Sequence, residues 1–205
     1  AAGPLAHDLG PAGAVVINAE SDDVRVRGVD GTSARVVSPA GGAGLETVAE
    51  PGRFTIGTVR AGRGIVFGFR VGGKGFGFHD VGTIEVEVPR DARVEVRSAA
   101  GDVALRDVHG GARVKTASGD VSLKRAAGPI AVSVASGDVL VEAVEPVTFE
   151  ARSVSGDVRA RGPRLDAVSV ETVSGDVNLA GALGSPAEHL VSTVSGDVEL
   201  AVMGG

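Results

Sequence analysis

Six aspartates recur in this sequence in the same local context and at nearly constant spacing. Each lies in a Gly-Asp-Val triplet, and successive triplets are 18, 18, 19, 19 and 21 residues apart. If these carboxylates pointed outward along one edge, they would repel one another unless a cation lay between them, and calcium favours such oxygen ligands. The residues of this aspartate column are Asp102, Asp120, Asp138, Asp157, Asp176 and Asp197.

The residues beside each aspartate favour a structural corner over a metal site. Glycine adopts backbone conformations that other residues reach only with strain, and aspartate and serine side chains bond readily to backbone groups in turns. No second acidic column accompanies the aspartates, and identical repeated groups give no division into a general acid and a general base. We therefore predict a corner, with the calcium ladder as the less favoured alternative. The corner glycines are Gly101, Gly119, Gly137, Gly156, Gly175 and Gly196.

The residues on either side of each corner alternate between apolar and polar. The fifth residue before the glycine is almost always Val, the second after it is always Val, and the fourth after it is mostly Leu. A period of two is typical of strands with one buried face. A repeat of this length is too short for a βαβ unit, which needs about 30 residues. It fits one coil of a β-solenoid, whose coils stack about 4.8 Å apart.

The sequence therefore predicts an all-β protein that forms a single-domain β-solenoid over residues 1–205. Regular Ser-Gly-Asp-Val repeats occupy residues 91–203, and less regular N-terminal β coils occupy residues 12–90. Segment 21–26 resembles a decayed repeat in which Asp22 replaces the glycine. The strands that we predict in the N-terminal part are Ala14–Asn18, Val24–Arg27, Ala34–Val37, Phe54–Thr58 and Ile65–Val71.

A Gly/Phe-rich segment at residues 71–80 interrupts the N-terminal part. Its opening glycines resemble the calcium-binding nonapeptide of RTX repeats, but Gly77 stands where that motif has aspartate, and there is no second copy. We interpret the segment as a surface loop. The phenylalanines near it either cover one end of the solenoid or form an exposed contact patch. These residues are Phe67, Phe69, Phe76 and Phe78.

The composition excludes several classes of function. The net charge of −6 provides no basic surface for nucleic acid, and the absence of cysteine excludes thiolate metal sites. No apolar run approaches the ~18 residues of a membrane span, so we expect no membrane insertion within this segment. The four histidines occupy unrelated positions, which argues against zinc, and we expect no cofactor. The chain begins at Ala1 and its one methionine is Met203, which indicates a processed form or an excised segment.

The run IEVEVPRDARVEVRSAAGDVAL, followed by the recurring pattern VxTxSGDVxL, resembles the "putative adhesin" family of bacterial β-strand-repeat domains of unknown function. The resemblance covers residues 12–203. It implies a β-solenoid of the right-handed β-helix type that is often exported or tethered at the bacterial envelope. The family has no catalytic residues to carry over, so the resemblance implies a fold more firmly than a function.

These observations favour a non-enzymatic structural or interaction module of the bacterial cell envelope or extracellular space. If the protein is tethered to the envelope, the tether is a segment outside this sequence. It would bind a protein or an envelope surface component through the faces or ends of the solenoid. Unpaired strand edges at the ends also predict weak end-to-end association of copies. One alternative is a polysaccharide-acting β-helix enzyme, although the chain has no Trp or Tyr for sugar platforms. The other alternative is a calcium-conditioned extracellular binding module.

Overall fold

The computed structural model describes residues 4–37, 45–58, 82–184 and 188–202, and this part of the chain consists of strands and turns. The all-β prediction is confirmed. No helix among the described residues is long and apolar enough to cross a membrane. The strands are β1 (Ala6–Asp8), β2 (Ala14–Ala19), β3 (Asp23–Val29), β4 (Ser33–Val36), β5 (Leu45–Glu50), β6 (Arg53–Thr58), β7 (Thr83–Pro89), β8 (Arg93–Ala100), β9 (Val103–Arg106), β10 (Ala112–Ser118), β11 (Val121–Ala126), β12 (Ile130–Ser136), β13 (Val139–Ala143), β14 (Val147–Ser155), β15 (Val158–Ser174), β16 (Val177–Leu183), β17 (His189–Ser195) and β18 (Val198–Val202).

Each coil contributes one strand to each of two parallel stacks, and the two strands meet at the Gly-Asp corner. The first stack holds the strands before the corners, from β8 through β10, β12, β14 and residues 165–174 of β15 to β17. The second stack holds the strands after the corners, from β9 through β11, β13, residues 158–161 of β15 and β16 to β18. This arrangement confirms the predicted β-solenoid.

The register of the stacks matches the columns predicted from the sequence. Val114 is aligned with Val96 on one side and with Val132 on the other, and Val121 is aligned with Val103 and Val139. These valines are at most 3 % exposed. Since burying a valine contributes about 1.5–3 kcal/mol relative to an exposed one, the inward columns hold successive coils together.

The N-terminal coils do not follow the order of the chain. Strand β2 lies between β6 and β8, and β3 lies between β7 and β9, with all of these pairs parallel. The coil formed by β6 and β7 is therefore the terminal coil of the solenoid, although it follows β2 and β3 in sequence.

Antiparallel strands close this N-terminal end. Strand β5 pairs with β6, β4 pairs with β7, and β1 pairs with β4. Leu45 on β5 is fully buried, so β5 covers the end of the apolar interior. Four of the predicted N-terminal strands coincide with β2, β3, β4 and β6, whereas β1 and β5 were not predicted. The predicted strand Ile65–Val71, the loop at 71–80 and the phenylalanine patch lie outside the described residues.

Candidate binding surfaces

The aspartates form a hydrogen-bonded ladder along the corner edge of the solenoid. The Oδ1 atom of each aspartate accepts a hydrogen bond from the backbone N–H of the aspartate in the next coil, with N–O distances of 2.8–2.9 Å. The ladder begins at Asp23, whose carboxylate accepts from the Asp102 amide. Aligning the segment SDDV with SGDV places Asp23 in the aspartate column. The predicted column, which was built from the six Gly-Asp-Val triplets, did not include it.

The corner glycines occupy a position that no side chain can share. Their φ angles lie between +112° and +141°. A Cβ atom added to any of them would lie 2.1–2.5 Å from a backbone oxygen of the preceding coil. The glycine is therefore required both by the left-handed backbone and by the close approach of stacked coils.

The ladder gives the closely spaced carboxylates hydrogen-bond partners on the backbone. One oxygen of each aspartate from Asp102 to Asp176 accepts a hydrogen bond from an amide, and at the protein surface the repulsion between carboxylates is screened by solvent. Within the described ranges there is no group of three or more His, Asp or Glu side chains that could hold a metal ion. The described histidines lie apart: His7, His109 and His189 each contact a backbone carbonyl at a different turn, and His79 lies outside the described residues.

The outer face of the first stack carries an apolar column that the inward-facing pattern does not reveal. It is formed by the second residue before each corner glycine, which is always Ala or Val. Val154 and Val173 are 55 % and 49 % exposed. Reading this position down the six copies would have found the column from sequence. We call it the outer apolar column, and its members are Ala99, Ala117, Ala135, Val154, Val173 and Val194.

A shallow groove of about 690 Å³ runs beside the outer apolar column. Its other side is lined by the cationic side chains of Arg97, Lys115 and Arg152. Arg97 forms an ion pair with Glu95 at 2.6 Å, and Arg152 lies 3.4 Å from Glu171.

Two cations at the centre of this face are not compensated. Lys115 and its neighbour Arg113, two residues earlier on β10, have no ion pair within the described part of the chain. They lie on the same outward face because side chains alternate along a strand.

The groove on the outer face of the second stack differs because its arginines are paired with carboxylates. A groove of about 470 Å³ there is lined by residues of β3, β7, β9 and β11. Arg27 lies 3.0 Å from Glu87, Arg35 lies 2.8 Å from the same carboxylate, and Arg25 lies 3.6 Å from Glu85. Lys124 is the one cation lining this groove that has no ion pair among the described residues, whereas the first stack carries Arg113 and Lys115 side by side.

In the last coil that the structure describes, inward side chains are exposed. Val198 and Leu200, which belong to inward columns, are 42 % and 48 % exposed, whereas Val177 and Leu179 in the preceding coil are 1 % and 2 % exposed. Strands β17 and β18 each pair with one neighbour and leave their other edge unpaired within the described residues.

Comparison with known proteins gives little support for a specific function. No protein-family model and no curated protein matches the chain. Among solved structures, the chain is similar to a "putative cell adhesion protein" from Clostridium sporogenes, with 10 % sequence identity and a TM-score of 0.29 over 95 % of this chain and 92 % of that one. Similarity at this level establishes neither common descent nor common function.

Proposed function

We propose that this protein is a non-enzymatic interaction module of the bacterial cell envelope or extracellular space, and that it binds an acidic segment of a protein partner. The binding surface is the groove on the first stack. The observation that carries the proposal is the outer apolar column lying beside the uncompensated cations Arg113 and Lys115.

The local charge supports an anionic partner. The whole chain has a net charge of −6. On the outward side of β8, β10, β14 and residues 167–174 of β15, by contrast, five cations (Arg93, Arg97, Arg113, Lys115, Arg152) face three carboxylates (Glu95, Glu150, Glu171), a local excess of 5 − 3 = +2. A positive patch attracts carboxylates and raises the rate at which an acidic partner associates.

The apolar side of the groove supports a polypeptide rather than a sugar. Ala117, Ala135 and Val154 offer small aliphatic contacts, which suit the aliphatic side chains of a peptide. Sugar-binding sites usually contain exposed aromatic rings, and the described phenylalanines, Phe54 and Phe149, are fully buried. Glycoside hydrolysis also needs a pair of carboxylates, and Glu20 is the one carboxylate that lines this groove in the part of the chain described.

The proposal is tested by site-specific photo-crosslinking in an envelope extract, followed by mass spectrometry. A crosslinking residue at Ala117 samples the groove, and one at the exposed Ala104 samples the second stack. We expect a discrete adduct from Ala117 whose crosslinked segment is rich in Asp and Glu. Equal yields of the adduct from Ala117 and Ala104 would refute the proposal that the partner binds the first stack specifically.

Charge reversal supplies the quantitative test with the purified partner. We expect Lys115→Glu to weaken binding several-fold and to reduce its salt dependence, because the lysine contributes to charge complementarity. The matched control is Lys124→Glu, which reverses an exposed lysine on the second stack. Unchanged affinity for Lys115→Glu, or an equal loss for Lys124→Glu, would contradict the proposed site.

A further inference from the structure

The aspartate ladder and the groove of the first stack lie side by side and run in the same direction. Within one coil the cationic side of the groove, the outer apolar column and the ladder follow one another, as Lys115, Ala117 and Asp120 do. Lys115 is aligned with Arg97 of the preceding coil, and the Asp120 amide donates to the Asp102 carboxylate. Both features therefore run along the solenoid axis and repeat at the spacing of the coils, about 4.8 Å.

The ladder carries the charge that the groove attracts. Asp102, Asp120 and Asp138 are exposed, and none of them forms an ion pair within the described part of the chain. Their ladder bonds use the Oδ1 atom, so each Oδ2 atom is outside the ladder. The uncompensated cations Arg113 and Lys115 lie in the same coil as Asp120. One surface of the molecule therefore holds a row of carboxylates and the cations that match it.

We propose that the aspartate ladder of a second copy of this chain also occupies the groove, so that a side-by-side dimer hides it from other acidic partners; the inference rests on the proposed function of the groove. A two-fold axis along the outer apolar column, parallel to the solenoid axis, generates this dimer. Rotation about it reverses the direction of the strands and keeps the direction of the solenoid. The ladder of each copy then lies over the cationic side of the other.

The spacing along the chain fits this arrangement. Lys115 lies two residues before Ala117, and Asp120 lies three residues after it. In extended chain these separations are about 7 and 10 Å, a difference that the long lysine side chain spans. Coils of the same number are level, so Asp120 of one copy faces Lys115 of the other. A two-fold axis along the strands would instead place ladder over ladder, which costs free energy.

Carboxylates limit the complementary stretch at both ends. Glu171 takes the position of the cations in the coil of Asp176, and Glu20 lines the other end of the groove. Between them lie the four coils from Ala99 to Val154. Two such faces bury roughly 600–800 Å² in total, less than the ~1,200 Å² of stable interfaces, so we expect a dissociation constant of about 10–100 μM.

Sedimentation equilibrium of the purified chain over about 5 to 500 μM tests the association. The mass should rise from 20.4 kDa toward twice that value. Lys115→Glu places a carboxylate opposite the ladder and should raise the dissociation constant at least about tenfold. Asp120→Asn keeps an oxygen that accepts from the Asp138 amide and should raise it about three- to tenfold, because the two-fold axis repeats the lost charge pair.

The matched control is Asp176→Asn. Asp176 accepts the same ladder bond, from the Asp197 amide, but in the dimer its charge faces Glu171. Removing that charge should not weaken association. A monomer at every concentration would overturn the inference, and so would a dimer that Lys115→Glu and Asp120→Asn leave unchanged. Because sedimentation uses the purified chain alone, either result leaves the adduct from Ala117 in an envelope extract as the separate test of the proposed function.

Introduced cysteines test the orientation, since the chain contains no native cysteine. With the axis along the outer apolar column, each residue of the column faces the same residue of the other copy. Sheets packed face to face lie about 10 Å apart, which a short thiol-to-thiol crosslinker spans. Ala99→Cys and Ala135→Cys should therefore each give a crosslinked dimer, and Ala104→Cys on the second stack should not. Crosslinking at neither column position, or at one without the other, would overturn the arrangement.

Discussion

Replacing Gly119 with alanine separates two reasons for the corner glycine. Gly119 has a φ of +125°, and an added Cβ would lie 2.2 Å from the Gly101 carbonyl oxygen of the preceding coil. Gly31, in the turn between β3 and β4, has a φ of +120°, but nothing lies within 4 Å of an added Cβ. The two positions therefore share the same backbone strain, and only Gly119 adds the contact between coils.

The expected cost of alanine at Gly119 exceeds that at Gly31 by about 2 kcal/mol. Alanine at positive φ costs about 1–2 kcal/mol, which is the whole cost expected for Gly31→Ala. At Gly119 the coils must also move apart by roughly an ångström. That movement weakens the bonds from the Asp120 amide to the Asp102 carboxylate and from the Val103 amide to the Asp120 carbonyl, each 2.9 Å long. At about 1 kcal/mol per bond, the total for Gly119→Ala is about 3–4 kcal/mol.

Thermal and urea unfolding of both variants measure this difference. For a chain of this length each kcal/mol lowers the melting temperature by about 2–4 °C, so we expect a decrease of about 6–16 °C for Gly119→Ala and about 2–8 °C for Gly31→Ala. Equal decreases would show that backbone strain alone selects the glycine, and that the close approach of coils has no energetic weight.

Three further predictions concern the corner and the core. Asp138→Asn should change the free energy of unfolding by less than about 0.5 kcal/mol, because the side-chain amide oxygen still accepts a hydrogen bond from the Asp157 N–H. Asp138→Ala removes this acceptor and should cost about 1 kcal/mol. Chemical denaturation measures both costs, and equal costs would contradict the ladder. Millimolar calcium should shift the melting temperature by less than about 1 °C in calorimetry, and a rise of several degrees would restore the metal-ladder hypothesis. Val134→Thr should be neutral to within about 0.5 kcal/mol in urea unfolding, since the aligned Thr116 hydroxyl bonds to the Ser118 carbonyl at 3.1 Å. Val132→Thr in the adjacent apolar column should cost about 1–3 kcal/mol, and a similar cost at both positions would show that the position aligned with Thr116 does not accommodate a hydroxyl better than its neighbour.

The repeat was readable from sequence because its determinants are local. Alternating side chains fix which face of each strand is buried, and the invariant glycine fixes where the chain turns. Once Val96, Val114 and Val132 are aligned by the motif, the register follows, since a slip of one residue would turn every valine outward. The outer apolar column could also have been found in the sequence. Its residues lie on the outward side of the strands, however, and the burial pattern that predicts the fold does not depend on them.

The N-terminal coils were only partly readable. The strand segments of β2, β3, β4 and β6 have the expected alternation, yet nothing local indicates that β2 pairs with both β6 and β8. Strand β5, LETVAE, ends in polar residues and its alternation is short, so it gave no clear strand signal. Its role as the cap of the solenoid depends on the hairpin with β6.

By itself the sequence determined the coil, its corner and its register, because backbone conformation and side-chain alternation act over a few residues. The tertiary structure decided the order of the N-terminal coils and the pairing of β5 that caps them. It also decided which outer face brings unpaired cations beside an apolar column. These features depend on contacts between segments that are far apart in the chain, such as Ala14–Ala19 with Arg93–Ala100. Parallel pairing between such segments has no local determinant, since any strand of matching alternation could take the same place.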